Sequence, residues 1–304
     1  MTADKLVFAA YFESAEQLPN ICRLAESIRT FGGKYGKSPI WAFGSPDIDT
    51  EDKKIFSRLE SFDVEIRTSQ APAKAGWLFY AGKPYAAAEA ETAVADASKL
   101  LIWMDEDTIV LAEPTAFDLE EDISLAYCPV MHNRSGSLYD KPPDAFWSRI
   151  YEKLEVADDA LFPMVTPADK QKIRAYFHAG LLVVRPERKI LRRWAKDFEI
   201  LYSDTILADM CRADINKKIF LHQTALVGAV LNNLEKDEMK ELTGRYNYPI
   251  FFEKKYDSEV TFDSIEDIIT LRCVIPVKEI NPEWYRKLAG PPDKIAWLKK
   301  HISG

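Results

Sequence analysis

Two hydrophobic periods alternate along the first third of the chain. Residues 5–12, 39–43 and 64–67 are short β-branched or aromatic runs, the pattern of strands. Between them apolar residues recur at helical spacing. Leu18, Ile21, Leu24, Ala25, Ile28 and Phe31 predict a helix over 16–31, which Gly32 and Gly33 stop. Ile55, Phe56 and Leu59 predict a second helix running to about residue 60, with Asp49 as its cap. Residues 68–82 carry Pro72, Gly76 and Gly82 and read as a mobile loop, fastened at its far end by Trp77, Phe79 and Tyr80. Lys83-Pro84-Tyr85 then opens an alanine-rich helix to residue 97, with proline in its first turn. Such alternation predicts an α/β fold with a mostly parallel central sheet flanked by helices.

The pattern changes at residues 100–111. An apolar run from Leu100 to Met104 stops at Asp105-Glu106-Asp107, and a short second run, 108–111, follows. Five apolar residues without alternation describe a strand buried on both faces, so the acids sit where it leaves the sheet, the edge at which α/β sheets bind ligands. Beyond it, 123–130 reads as a strand, 144–155 as a helix, and the loops 132–137 and 141–144 as a roof over the site. His178, Ala179 and Gly180 precede another apolar strand, where glycine implies close backbone approach. Helices are expected over 187–202 and 204–211, and His222-Gln223 is expected to begin a further apolar helix. A strand at 270–275 and a terminal helix with Trp284, Leu288, Ile295, Trp297 and Leu298, broken at Gly290-Pro291-Pro292, complete the chain. No repeat or linker divides it, which predicts one domain over 1–304.

Composition narrows this only a little. With 47% hydrophobic and 29% charged residues the chain is ordinary for a globular enzyme, and a net charge of -8 argues against a nucleic-acid surface. The densest basic pairs, Arg192-Arg193 and Lys299-Lys300, lie at helical spacing and read as solvated faces. The four cysteines form no C-x-x-C pair, so neither a zinc knuckle nor a disulfide framework is signalled. The first five residues are too short and acidic for a signal n-region, and no apolar run reaches the roughly 18 residues of a spanning helix. A cytoplasmic location is expected, with peripheral membrane contact left open.

Asp105 and Asp107 carry the sharpest chemistry. Two hard carboxylates on an extended turn suit Mn²⁺ or Mg²⁺, with diphosphate oxygens as further ligands. An acidic triplet elsewhere would be surface charge; at the end of a buried strand, three like charges require a cation or basic groups. Lys83 opposes the helix dipole at a helix start, which an anionic ligand would explain. His178 and His222 are candidates for acceptor contacts or a general base, the alternative being hydrogen-bonded packing. Tyr246, Asn247, His132 and Asn133 are sugar-binding candidates on side-chain type alone.

In order along the chain, Val7-Phe-Ala-Ala10, Lys83 with its alanine-rich helix, the D-x-D strand end, Phe177-His-Ala-Gly-Leu-Leu-Val-Val184 and His222-Gln223 resemble the GT-A-fold glycosyltransferases, the nucleotide-diphospho-sugar transferases of the glycogenin and lipopolysaccharide galactosyltransferase group. The resemblance covers residues 5–231. It implies a nucleotide-sugar donor, a glycan, lipid or protein acceptor, and retention at the anomeric carbon, with 5–111 as the donor half and 112–304 as the acceptor half with a C-terminal helical segment. Asp105 and Asp107 would hold the metal. Ala10, Tyr11, Lys83 and Glu106 would surround the donor, His178, Ala179 and Gly180 the sugars, and His222 and Gln223 the reacting centre; Tyr246 and Asn247, beyond the span of the resemblance, are substrate-binding candidates on side-chain type alone. This sequence has His178 and His222 where the family has Asn and Asp, and it lacks the family's C-terminal histidine ligand, His301 having no matching context. Two rivals remain at this stage. One is a haloacid-dehalogenase-like phosphotransferase, which also uses D-x-D after a strand but near its domain start; the other is a non-catalytic nucleotide-sugar-fold binding protein.

Overall fold

The computed structural model describes residues 6–46, 52–95, 98–249, 262–273 and 289–302. The amino-terminal alternation is realised as β1 (Leu6–Phe12), α1 (Leu18–Phe31), β2 (Ile40–Gly44), α2 (Lys53–Ser61), β3 (Val64–Thr68), α3 (Gly82–Val94) and β4 (Leu100–Asp105). These four strands lie in the order β4-β1-β2-β3, all parallel, with Tyr11 in register with Asp105. Their carboxyl ends therefore share one edge. Every residue of β4 is buried, as its unbroken apolar run implies.

The rest of the chain supplies β5 (Thr108–Val110), β6 (Leu125–Pro129), α4 (Ala145–Leu154), β7 (Pro163–Val165), β8 (Lys172–Arg174), β9 (Phe177–Val184), α5 (Ile190–Ser203), α6 (Thr205–Ala213), α7 (Ile215–Leu231), β10 (Met239–Glu241), β11 (Tyr248–Pro249), β12 (Thr270–Arg272) and α8 (Pro292–Ile302). The central sheet runs β10-β6-β9-β4-β1-β2-β3. Only β9 is reversed in it, antiparallel to both β4 and β6. That reversal brings the start of β9 beside the end of β4. A small sheet, β11-β12-β5, stands beyond that edge and pairs Arg272 with Thr108, while β7 and β8 form a hairpin.

Alternation along the strands divides the core between the two sheet faces. Val7, Ala9, Leu101 and Trp103 pack with α3, α5 and α7, whereas Leu6, Phe8, Ala10, Ile102 and Met104 pack with Leu18, Ile21, Leu24 and Ile28 of α1. Each such side chain contributes about 1.5–3 kcal/mol through removal from water. Leu298 and Ile302 of α8 bury against Ile109, Leu111 and Leu271, tying the small sheet down. No helix among the described residues is long and apolar enough to cross a membrane.

Several local expectations are corrected. Asp49 lies outside the described residues; the cap of α2 is Asp52, whose carboxylate accepts from the N–H groups of Lys54 (3.0 Å) and Ile55 (3.1 Å). The loop after β3 is fastened by buried Ala75, Leu78 and Ala81, while Phe79 and Tyr80 are exposed. Helix α7 begins at Ile215, capped by Asp214, so His222-Gln223 lies inside it rather than opening it. Arg192 does not decorate a solvated face: it pairs at 3.1 Å with fully buried Glu91, which also accepts from the backbone N–H groups of Leu191 and Arg192 at the start of α5. Residues 97, 274–275, Trp284 and Leu288, placed by sequence in terminal parts of elements, lie outside the described residues.

Candidate functional site

A cavity of about 770 Å³ opens over the carboxyl ends of β1 and β4, within the range of ~300–1,000 Å³ typical of small-molecule sites. Tyr11, Lys83, Asp105, Glu106 and Asp107 line it from the first part of the chain, and His178, His222, Gln223, Asn247 and Arg272 from the second. These ten residues come from β1, α3, β4 and its following turn, β9, α7 and the β11–β12 region. The topology explains the convergence. Reversed β9 delivers His178 to Asp105, and β12 beside β5 delivers Arg272, where the Cys273 N–H donates to the Asp107 carbonyl at 3.1 Å.

Charge at the floor is tightly matched. Lys83, only 8% exposed although it sits in the first turn of α3, pairs with Asp105. The Arg272 guanidinium spans both acids, with Nη2 2.9 Å from Asp105 and Nε 3.6 Å from Asp107. Burial alone would push the Asp105 carboxyl up; Lys83 and Arg272 outweigh it and hold the group below the usual carboxylate range. Burial raises Asp107, with Arg272 opposing. Burial, and then the neighbouring Asp107 and Asp105 charges, raise Glu106 to about 8, and Glu106 accepts from Gln17 Nε2 at 2.8 Å. Burial, with Glu13 and Glu106, lifts the Tyr11 phenol to about 12.

Both histidines are neutral at physiological pH. Burial and then Lys83 lower His222 to about 3; its Nδ1 lies 2.9 Å from the Ile219 carbonyl, an acceptor, which assigns the proton to Nδ1. Its ring packs against Tyr80 and Trp194, whose indole N–H donates to the His222 carbonyl at 2.6 Å. Burial and then Arg272 drive His178 well below its ordinary value. Two donors face that ring, the Gly180 N–H at Nδ1 (2.9 Å) and Arg272 at Nε2, and a neutral imidazole can accept from only one of them. Gln223 is fixed by the Ala179 N–H, which donates to its Oε1 at 3.1 Å. Asn247 is 2% exposed, and neither its amide oxygen nor its amide nitrogen has a hydrogen-bond partner among the described residues. A buried, unsatisfied amide at a cavity wall calls for water or a ligand to pair with it.

Other expected site residues are placed elsewhere. Ala10 belongs to the core packed on α1, because neighbouring strand positions alternate faces and Tyr11 takes the pocket side. Tyr246 is also core: it packs on Phe117 with ring centroids 5.7 Å apart and its hydroxyl accepts from the Ala116 N–H. Ala179 is buried in the opposite core and reaches the site only through its N–H. Gly180 touches Asp105, and His132 joins the lining whereas Asn133 does not. Arg272, Arg23 and Arg134 are lining residues that sequence patterning did not single out, and Tyr80, expected only to fasten its loop, lines the cavity as well. For Arg272 the available signal was a cation inside the apolar strand at 270–275.

The divalent cation implied by the resemblance does not fit this donor set. Both carboxylates are ion-paired with Arg272, one also with Lys83, so the guanidinium stands where a bridging cation would, although Asp105 Oδ1 and Oδ2 and Asp107 Oδ1 make no hydrogen bond among the described residues. Among the described residues no group of three or more His, Cys, Asp or Glu side chains is placed to hold a metal ion. His301 pairs with Glu26 and stacks on Trp297 instead.

A carboxylate pair at the end of a central parallel strand, under a cavity shared by two halves of an α/β sheet, is a GT-A glycosyltransferase arrangement. The chain belongs to the Rhodobacterales glycosyltransferase domain family, which matches residues 15–232. No curated protein sequence matches it. Among solved structures it is similar to the galactosyltransferase LgtC in complex with donor and acceptor sugar analogs, at 12% identity and a TM-score of 0.50, covering 96% of this chain and 100% of that one. An active-site mutant of LgtC matches at 14% identity and a TM-score of 0.52, covering 97% and 95%. The bifunctional glycosyltransferase WbbM matches at 12% identity and a TM-score of 0.56, covering 99% of this chain and 52% of that one. At such identities the structures establish the fold, and the family establishes a glycosyltransferase; the phosphotransferase and non-catalytic readings fall away.

Proposed function

We propose that the cavity binds a nucleotide-diphosphate sugar and that the enzyme transfers the sugar, with retention at the anomeric carbon, to a hydroxyl of a glycan, lipid or protein. The observation that carries this is Lys83. This buried ammonium at a helix N-terminus is paired with Asp105 at the cavity floor beside Arg272, so two cations face the space where a diphosphate would lie. The diphosphate is set at Lys83, the base toward Tyr11, and the sugar toward Asn247, His178 and Gln223. Residues 5–111 then carry most of the donor side, with the remaining chain closing over it.

Retention is supported by the groups around the reacting centre. An inverting transferase needs a base to take the acceptor proton; Gln223 and a His222 imidazole lowered to about 3 do not supply it, and the carboxylates of the cavity, Glu13, Glu16, Asp105, Glu106 and Asp107, lie on the side assigned to the donor. Retention lets a departing diphosphate oxygen accept the proton instead. His222, with its proton on Nδ1, presents Nε2 as a hydrogen-bond acceptor that orients the hydroxyl.

A thermal-shift screen of nucleotide-sugars against nucleosides and free sugars tests the donor class, because a ligand that binds only the folded state raises the melting temperature. One nucleotide-sugar class should stabilise the protein and its parent nucleoside should not. Proton NMR of the transfer product reads the anomeric configuration. No stabilisation by any nucleotide-sugar removes the donor assignment; an inverted product removes retention alone.

A further inference from the structure

We propose that Arg272 occupies the place of a divalent cation at the Asp105–Asp107 pair, so that this enzyme grips and releases its donor diphosphate with the Arg272 guanidinium and the Lys83 ammonium and needs no metal ion. The inference rests on the nucleotide-diphosphate donor proposed above.

Geometry carries it. A cation bridging the two carboxylates must stand between Asp105 and Asp107, and the guanidinium stands there, 2.9 Å from one and 3.6 Å from the other. Its position is built into the backbone. Strand β12 is held antiparallel to β5, with Arg272 in register with Thr108 and the next N–H bonded to the Asp107 carbonyl. A hard divalent ion binds a carboxylate oxygen at ~2.0–2.6 Å. On Asp105 Oδ2 it would share an oxygen with Nη2 and bring two cations into contact. The neighbouring histidine does not help, since His178 Nε2 faces Arg272 rather than open space, and neither His178 nor His222 forms with the two aspartates a group of three placed to hold a metal ion.

Arginine also suits the ligand. Its planar fork of five donors matches phosphate oxygens, and it stays charged at every working pH. Lys83 lies across Asp105 from it, and Arg23 and Arg134 line the same cavity. In the transfer, the C1–O bond to the β-phosphate breaks and leaves its electron pair on that phosphate oxygen. The acceptor oxygen bonds C1, and the acceptor proton passes to the departing diphosphate. Arg272 and Lys83 meet the charge that grows on this diphosphate, the role a metal ion would otherwise take as Lewis acid.

Calorimetric titration of the full chain with UDP, GDP, ADP, CDP and dTDP, in excess EDTA and separately in excess Mn²⁺, tests this. The preferred diphosphate should bind with dissociation constants agreeing within about threefold in the two buffers. Mn²⁺ added to the protein alone should keep the electron paramagnetic resonance signal of the free ion. Arg272→Ala should lose at least about tenfold in EDTA and regain affinity when Mn²⁺ fills the vacated space, while Arg272→Lys, which keeps the charge and loses the fork, should fall between Arg272→Ala and wild type. Binding by the wild type only with Mn²⁺ overturns the inference and leaves the donor assignment standing. Binding of no diphosphate in either buffer overturns both. Wild-type affinity of Arg272→Ala in EDTA overturns the role of Arg272, and should that variant fail to fold, the wild-type comparison decides.

Discussion

Gly180 and Asp105 meet so closely that a Cβ at position 180 would lie 2.1 Å from Asp105 Oδ2. The strand reversal that presents β9 to the end of β4 thus requires a residue with no side chain there. Gly180→Ala must displace either the Asp105 carboxylate, with its ion pairs to Lys83 and Arg272, or the β9 backbone. Donor turnover should fall about a hundredfold, the cost of ~1 Å misplacement in a preorganised site, and stability by about 1–3 kcal/mol. Kinetics together with urea denaturation measure both; unchanged turnover would separate Asp105 from the chemistry.

Glu106 makes stability depend on pH in a defined direction. Burial and the flanking aspartates place its folded value at about 8, above the ~4.3 of an unfolded chain. A carboxyl raised on folding contributes stability that is full below the unfolded value and is lost as pH rises through the folded one. Between about pH 4.3 and pH 8 the wild type should therefore weaken. Glu106→Gln keeps an oxygen for Gln17 and removes the titration, so between pH 5 and pH 8 it should gain at least about 1 kcal/mol relative to wild type. Equal pH sensitivity of the two proteins in urea denaturation would contradict this environment for Glu106.

His222 should orient a hydroxyl without taking its proton. With its folded value lowered to about 3 by burial and Lys83, it adds no limb near pH 6.5 to the kcat profile. The sign for stability is the reverse of that for Glu106: the neutral ring's contribution is present above ~6.5 and lost as pH falls toward 3. His222→Gln should lower kcat about ten- to a hundredfold with an unchanged profile shape. A limb near 6.5 that disappears in the variant would make His222 the base and argue for inversion.

Asn247 separates binding from folding. It combines a buried unpaired amide with a φ of +54°, a conformation glycine adopts without strain. Asn247→Gly should leave the melting temperature within about 2 °C of wild type, because the orphaned amide leaves as well. KM for donor or acceptor should rise about tenfold, as expected when one hydrogen-bonded ligand contact is lost. Unchanged KM values would place the amide outside the sugar's reach.

Local patterning exposed the strands and helices of the first half because each is an uninterrupted period. Residues 100–104 needed no partner to be read as a buried strand. The second half hides its organisation in long-range pairing. The apolar run in β9 identifies a strand but not its reversal, which is set by β4 and β6 together. In α7 the first turn carries Asn216, Lys217 and Lys218, and Ile215 is exposed, so the apolar stretch around Leu226 suggested a later start. Strands β7 and β8 each bury a single side chain, Met164 and Ile173, too little for a period. Asp105, Asp107, Lys83, His222 and Gln223, singled out in the sequence, all line the cavity, although His222 and Gln223 lie inside a helix and not at its start. Tyr246 was misread because an aromatic suited to sugars is equally suited to packing on Phe117. Arg272 becomes meaningful only when β12 pairs with β5.

The most direct test of the donor site is release of nucleoside diphosphate from a panel of nucleotide-sugars by wild type, Lys83→Ala and Lys83→Arg. Wild type should turn over one donor class, Lys83→Ala should be at least about a hundredfold slower, and Lys83→Arg should retain much of the rate. Turnover of no nucleotide-sugar by the wild type, or equal rates for wild type and Lys83→Ala, would contradict the assignment of this pocket to a sugar donor's diphosphate.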